Sequence, residues 1–186
     1  MKNPFKFGEA VTGEWFANRK REIEEIKGMI DAAQNIFIYS YRRLGKTSLI
    51  KTVLSSLSDR TYVKVYMDIH RASSAAQFVE EYSRSVTQSF LSRRGRFKVI
   101  KSFFTRITPS FELTESGSWK VIFEFSKTTK GVERALEEVC ELPQIIAEKY
   151  NKKVVVVFDE FQEIEQFNGV SFERKLRSFI QHHSKV

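Results

Sequence analysis

The chain has a single cysteine, Cys140, in 186 residues. An intrachain disulfide is excluded, and a reducing compartment is expected. No second cysteine stands beside it to share a metal, and His70, His182 and His183 show no ligand spacing with it. Cys140 reads as a small buried apolar residue on a helix. Long apolar runs are also missing, since none approaches the roughly 20 residues that a membrane span needs. The opening Met1-Lys2-Asn3-Pro4-Phe5 lacks the apolar core of a signal peptide. The expected location is the cytoplasm, with no membrane partner. Internal repeats and low-complexity segments are absent too.

Acidic residues are missing from Tyr82 to Phe111, a stretch that carries seven basic ones: Arg84, Arg93, Arg94, Arg96, Lys98, Lys101 and Arg106. With a net charge of +8, one reading is a patch for the phosphate backbone of a nucleic acid. The other is a solvated surface, or a contact with an acidic part of the same protein. No Asn-Lys-x-Asp type motif for guanine is present, because Val154 stands where the aspartate should follow Asn151-Lys152-Lys153.

What is there describes a folded chain. With 41% hydrophobic and 29% charged residues, the composition is globular, not disordered. The length suits one domain that buries a core without a staple, and most of the 17 phenylalanines belong in that core.

Met1 to Glu14 reads as an irregular lead-in. A helix is predicted after Asn18, a good cap type, with Ile23, Ile26 and Ile30 on one face. Ile36-Phe37-Ile38-Tyr39 is predicted as a short buried strand. Ser40 to Gly45 is a loop, and Lys46 to about Leu57 has helical spacing. Thr61 to Ile69 reads as a second strand. Ser73 or Ser74 caps a helix running to about Leu91. The segment Phe104 to Ser110 breaks at Pro109. Ser110 to Thr114 and Trp119 to Phe125 flank the turn Glu115-Ser116-Gly117-Ser118, so a hairpin is predicted. Gly131 to Tyr150 is helical, kinked or split at Pro143. Val154 to Phe158 is unbroken and apolar, as in a strand buried on both faces. A last helix covers about Phe172 to His183. Strands alternating with helices imply an α/β sheet with right-handed crossovers.

Two constellations carry chemistry. The first is a predicted strand, a loop, and Gly45-Lys46-Thr47 opening a helix. Backbone N–H groups at a helix N-terminus bind phosphate. Gly45 lets the backbone approach a nucleotide. Lys46 would place its ammonium on the β/γ-phosphates, and Thr47 would offer a hydroxyl to Mg²⁺. In the window Ser40-Tyr41-Arg42-Arg43-Leu44-Gly45-Lys46-Thr47, Ser40 replaces the first glycine of the G-x-x-x-x-G-K-[ST] pattern. The second constellation is Asp159-Glu160 at the end of the Val154 to Phe158 strand, where open α/β sheets bind ligands. Asp159 would hold Mg²⁺ and Glu160 would polarise the attacking water. The alternative for this pair is an acidic cap after a core strand.

Together these residues resemble the archaeal-type ATPases of the AAA+ and signal-transduction branch of P-loop proteins. The matching pieces are Trp15-Phe16-Ala17-Asn18-Arg19 with Glu22, Tyr41 to Leu49, Val63 to Ile69, and Val154 to Ile164. The resemblance implies that Phe16 and Arg19 line an adenine pocket. It also implies that Ser40, Tyr41, Arg42, Arg43, Leu44, Gly45, Lys46, Thr47 and Ser48 surround the phosphates, with Lys46 and Glu160 catalytic and Thr47 and Asp159 on the metal. The alternatives are Phe16 as a core residue, Arg42 and Arg43 as surface charges, and Asp68 as a turn cap. The implied fold is a P-loop three-layer α/β sandwich with a mainly parallel sheet, incomplete at the C-terminus. Residues 1–186 would be the N-terminal portion of the ATPase domain, with 84–129 an insertion bearing the basic stretch and the hairpin. A further strand would then come from a longer chain or a partner chain. The expected function is ATP binding, with hydrolysis that drives a switch and is weak in this chain alone. A regulatory module that binds without hydrolysis, and an ATP-dependent nucleic-acid-binding protein, are the alternatives.

Overall fold

The computed structural model describes residues 19–41, 44–91, 102–113, 119–167, 169–183 and 186. The chain forms two compact units, Met1–Tyr62 and Val63–Val186. In the first, α1 (Lys20–Asp31) and α2 (Lys46–Ser56) pack together. Helix α1 turns Ile23, Ile26, Met29 and Ile30 to its half-buried side and leaves its charges, apart from half-buried Lys27, in solvent. Helix α2 buries Ser48, Leu49, Val53 and Leu54, the apolar spacing read from the sequence.

The expected buried strand at 36–39 is not formed. This segment makes no strand ladder, and Phe37 and Tyr39 are 75% and 83% exposed. An apolar run becomes a buried strand only when a neighbour takes up its backbone N–H and C=O groups. Among the described residues no strand pairs with 36–39 in a ladder.

The second unit begins in β1 (Tyr62–Asp68), which pairs with β4 (Lys153–Asp159) in a parallel two-stranded sheet. A 3₁₀ turn at Ile69–Arg71 follows β1, with Asp68 as its cap: the carboxylate accepts from the His70 N–H at 3.1 Å. Helix α3 (Ala75–Leu91) follows. Its start is fixed by Ser74, whose hydroxyl accepts from the Gln77 N–H at 3.3 Å. Strands β2 (Thr108–Leu113) and β3 (Trp119–Glu124) pair antiparallel with Pro109 opposite Phe123. Pro109 therefore lies inside a strand and does not break it. Proline is tolerated there because a strand of a two-stranded pair is always an edge. The tip of the predicted hairpin, Glu115–Ser118, lies outside the described residues, as does the Met1 to Glu14 lead-in.

Helix α4 (Thr129–Tyr150) carries Pro143 within it. Thr128 caps it, its side chain accepting from the Gly131 N–H at 3.2 Å. Asn151 ends it in the left-handed region at φ 47°, a common helix stop. After β4, a 3₁₀ segment (Phe161–Phe167) leads to α5 (Gly169–Ile180). No described helix is long and apolar enough to cross a membrane.

The core of the second unit gathers Val65, Met67, Phe78, Tyr82, Val86, Leu136, Val139, Cys140, Ile146, Phe172 and Leu176, all nearly inaccessible. Phe78 sits edge-on to Phe172 at 5.0 Å and tilted to Phe158 at 5.7 Å, and Phe167 is edge-on to Phe172 at 5.3 Å. Such tilted and edge-on pairs add to simple area burial. Cys140 is fully buried, and burial pushes its thiol well above the ordinary value. Strand β4 is not buried on both faces as expected. Val154 and Asp159 are buried, while the residues between them are half-exposed. The reason is its pairing, because among the described residues β1 is its one neighbour in the sheet.

Candidate functional site

Gly45 is the N-cap of α2, at φ 73° and ψ 27°. This left-handed conformation costs any residue with a Cβ. The first helical bond follows at once, from the Leu49 N–H to the Gly45 carbonyl at 2.9 Å. The cap brings no side chain to the first turn of α2, whose N–H groups have no acceptor within the helix itself. That turn, beginning at Lys46, Thr47 and Ser48, suits a bound anion in both dipole and donors.

Lys46 reaches back across the loop. Its ammonium donates to the Ser40 carbonyl at 3.0 Å and to the Tyr41 carbonyl at 3.4 Å. Lys46 thus ties Ser40 and Tyr41 to the start of α2. Ser40, standing where the pattern has glycine, does not disturb it. Among the described residues, positive φ at non-glycines occurs at Ala33, Asn151 and Glu160, not at Ser40. Tyr41 and Leu44 are exposed.

Arg19 approaches the same loop from the start of α1, donating to the Leu44 carbonyl at 2.7 Å and pairing with Glu22 at 3.8 Å. The structure thus brings Arg19, Ser40, Tyr41, Leu44, Gly45 and Lys46 together. Phe16, Arg42 and Arg43 lie outside the described residues.

In the second unit, Asp159 ends β4 and is only 6% exposed. Its two carboxylate oxygens are held separately. Tyr66 donates its hydroxyl to Oδ2 at 2.6 Å, and the Glu160 N–H donates to Oδ1 at 3.0 Å. Tyr66 belongs to β1, the paired strand. Its own hydroxyl is pushed well above the usual tyrosine value, first by burial and then by the bond to Asp159. Glu160 adopts φ 52°, a strained region for a glutamate. Its side chain is exposed and accepts from the Gln162 amide at 2.5 Å, while its carbonyl accepts the Glu163 N–H at 3.0 Å. That last bond opens the 3₁₀ segment, an element the sequence reading lacks.

Tyr66 was missed from the sequence. A signal existed in the pleat of β1: Lys64, Tyr66 and Asp68 share the half-exposed face, opposite buried Val63, Val65 and Met67. A hydroxyl on that face, two residues before the strand end, is where a neighbouring strand's terminal carboxylate can be met.

Each unit offers one oxygen donor that a metal could take, the Thr47 hydroxyl in the first and the Asp159 carboxylate in the second. Both are hard oxygen donors of the kind Mg²⁺ takes. Among the described residues no group of three or more His, Cys, Asp or Glu could form a cage. Either donor, taken by itself, suits an ion that brings phosphate oxygens with it. Of the basic residues, Arg84 pairs with Glu81, and Arg106 pairs with Glu137 at 2.9 Å. Both are engaged within the chain. Arg93, Arg94, Arg96, Lys98 and Lys101 lie outside the described residues.

The first unit carries a glycine-capped helix that opens with a lysine, and the second carries a carboxylate at the end of a parallel strand. Residues 16–186 match the model of the ATPase domain found predominantly in Archaea, and the chain belongs to that family. It is also 26% identical over 156 residues to the uncharacterized ATP-binding protein MJ1301 of Methanocaldococcus jannaschii. That match takes in 80% of this chain and 36% of the relative, so the chain spans about a third of the relative's length. No solved structure matches the chain.

Proposed function

We propose that this chain binds Mg-ATP through the loop Ser40 to Ser48 and is a P-loop ATPase whose nucleotide cycle drives a conformational switch. The observation that carries the reading is the loop itself. A glycine in the left-handed region caps α2, and the Lys46 ammonium is held on the Ser40 and Tyr41 carbonyls. Family membership and the relative's name support the same ligand.

In this reading the Lys46 ammonium leaves two neutral carbonyls for the β/γ-phosphates, a stronger, charge-assisted interaction. The first turn of α2 supplies N–H donors. Thr47 and Asp159 would hold Mg²⁺, which when bound neutralises charge on the phosphate oxygens. Glu160 takes the water, orienting it through the carboxylate that Gln162 now contacts.

One observation favours a second reading, a regulatory module that binds without turnover. That same Gln162 amide engages the carboxylate that hydrolysis requires. Calorimetric titration with Mg-ATP tests binding, and phosphate release tests turnover. Saturable binding that Lys46→Ala abolishes is expected, with slow release that Glu160→Gln removes. Binding unaffected by Lys46→Ala overturns the loop assignment. Binding without release, unchanged by Glu160→Gln, selects the regulatory reading.

A further inference from the structure

Asp159 is a buried carboxylate whose two oxygens are held by different donors. The Glu160 N–H comes from the next residue along the chain and follows the local turn. Tyr66 comes from the neighbouring strand, 93 residues earlier. Its place is set by the pairing of β1 with β4, so the bond ties the carboxylate to the sheet. Two donors on two oxygens fix the rotation of the carboxylate about its last side-chain bond. Fixed orientation is what a metal-binding carboxylate requires from its surroundings.

We propose that Tyr66 is a positioning residue for Mg²⁺, holding Asp159 in the orientation that receives the ion or its water. The inference rests on the function proposed above. It adds a residue outside both sequence signatures. Tyr66 does not touch nucleotide in this account and acts through Asp159 alone. A plain structural role, satisfying a buried acid, would alter stability but leave metal dependence in place.

The test is calorimetry of ATP binding to the full chain in graded MgCl₂ and in EDTA, for wild type, Tyr66→Phe, Asp159→Asn and the double variant. Tyr66→Phe keeps the ring and removes only the hydroxyl, and circular dichroism in EDTA monitors the fold. The expected result is a rise of about tenfold in the MgCl₂ midpoint for Tyr66→Phe, as for loss of an outer-shell partner. Affinity in EDTA should be unchanged. In the Asp159→Asn background, Tyr66→Phe should add nothing, because the two residues act as a unit. A midpoint within about twofold of wild type, or an equal shift with and without metal, overturns the role of Tyr66. So does full additivity in the double variant. Wild type that binds no ATP overturns the proposed function first and this inference with it, and the wild-type arm alone reveals that case.

Discussion

The guanidinium of Arg19 donates to the carbonyl of Leu44 at 2.7 Å, joining the residue before α1 to the loop before α2. Leu44 immediately precedes Gly45, so this bond restrains the peptide that enters the left-handed cap. The resemblance gave Arg19 an adenine-lining role. What the structure shows is Arg19 bracing the loop end at Leu44.

Arg19→Ala should therefore weaken ATP binding without abolishing it. A hydrogen bond from a charged group is worth about 1.5–3 kcal/mol when sheltered. Arg19 is about a third exposed, so a value near 1 kcal/mol is expected after solvent screening. That corresponds to a loss of about fivefold in affinity. Calorimetry beside Lys46→Ala checks this, and loss as complete as that of Lys46→Ala would show that Arg19 contacts the ligand directly.

Gly45→Ala tests the cap by conformation alone. A Cβ at Gly45 would meet nothing within 4 Å, so space is not the obstacle. The cost comes from φ 73°, about 1–2 kcal/mol for an L-residue in the left-handed region. Urea unfolding should show a loss of that size, with Gly45→Asn losing less because asparagine tolerates the region better. Equal stability of wild type and Gly45→Ala would mean that the loop relaxes out of the left-handed state.

How much of this was legible in the sequence depended on whether the deciding information was local. Val154 to Phe158 declared a strand through its own residues, and the serine pair Ser73-Ser74 declared a helix start, with Ser74 found as the cap. The Gly45-Lys46-Thr47 turn declared a helix N-terminus. The segment 36–39 has the same apolar look as β4, yet no periodicity reveals whether a partner strand is present. Pro109 looked like a break because proline lacks an N–H, and only the pairing of β2 shows that the missing donor is harmless there. Tyr66 needed knowledge that β1 lies beside β4, which no single segment contains. The position of Glu160 after β4 was legible but its strain was not, since its φ of 52° arises from the turn into the 3₁₀ segment.

Glu138 anchors the approach to β2. Its carboxylate accepts from the N–H groups of Thr105, Arg106 and Ile107 at 2.5, 3.0 and 2.9 Å, and from the Thr105 hydroxyl at 2.6 Å. A carboxylate receiving several backbone donors is a strong tie between α4 and this loop. Glu138→Ala should destabilise the protein by about 2 kcal/mol, read as a lower urea midpoint with unchanged slope. Glu138→Gln should lose less, since its carbonyl still accepts. Loss below about 0.5 kcal/mol for Glu138→Ala would show that water replaces the carboxylate at no net cost.

His183 gives the fold a pH dependence of definite sign. It lies in a cleft with Glu141, Gln144 and Ile145 of α4 and with Ser178, Phe179 and His182. Its Nδ1 is buried without a hydrogen-bond partner among the described residues. Burial lowers its pKa below the ordinary 6.5, and the neighbouring His182 acts in the same direction. The folded state therefore holds its proton less tightly than the unfolded chain. Stability from this residue is complete above pH 6.5. It falls as pH drops below that value, because protons favour the unfolded state. Thermal melts on either side of pH 6.5 should show a lower midpoint on the acid side, and His183→Gln should flatten that difference while leaving other titrations in place. An identical acid-side drop in His183→Gln would mean that the dependence arises elsewhere. A larger drop would mean that His183 gains a proton on folding, for instance through Glu141, and would reverse the sign argued here.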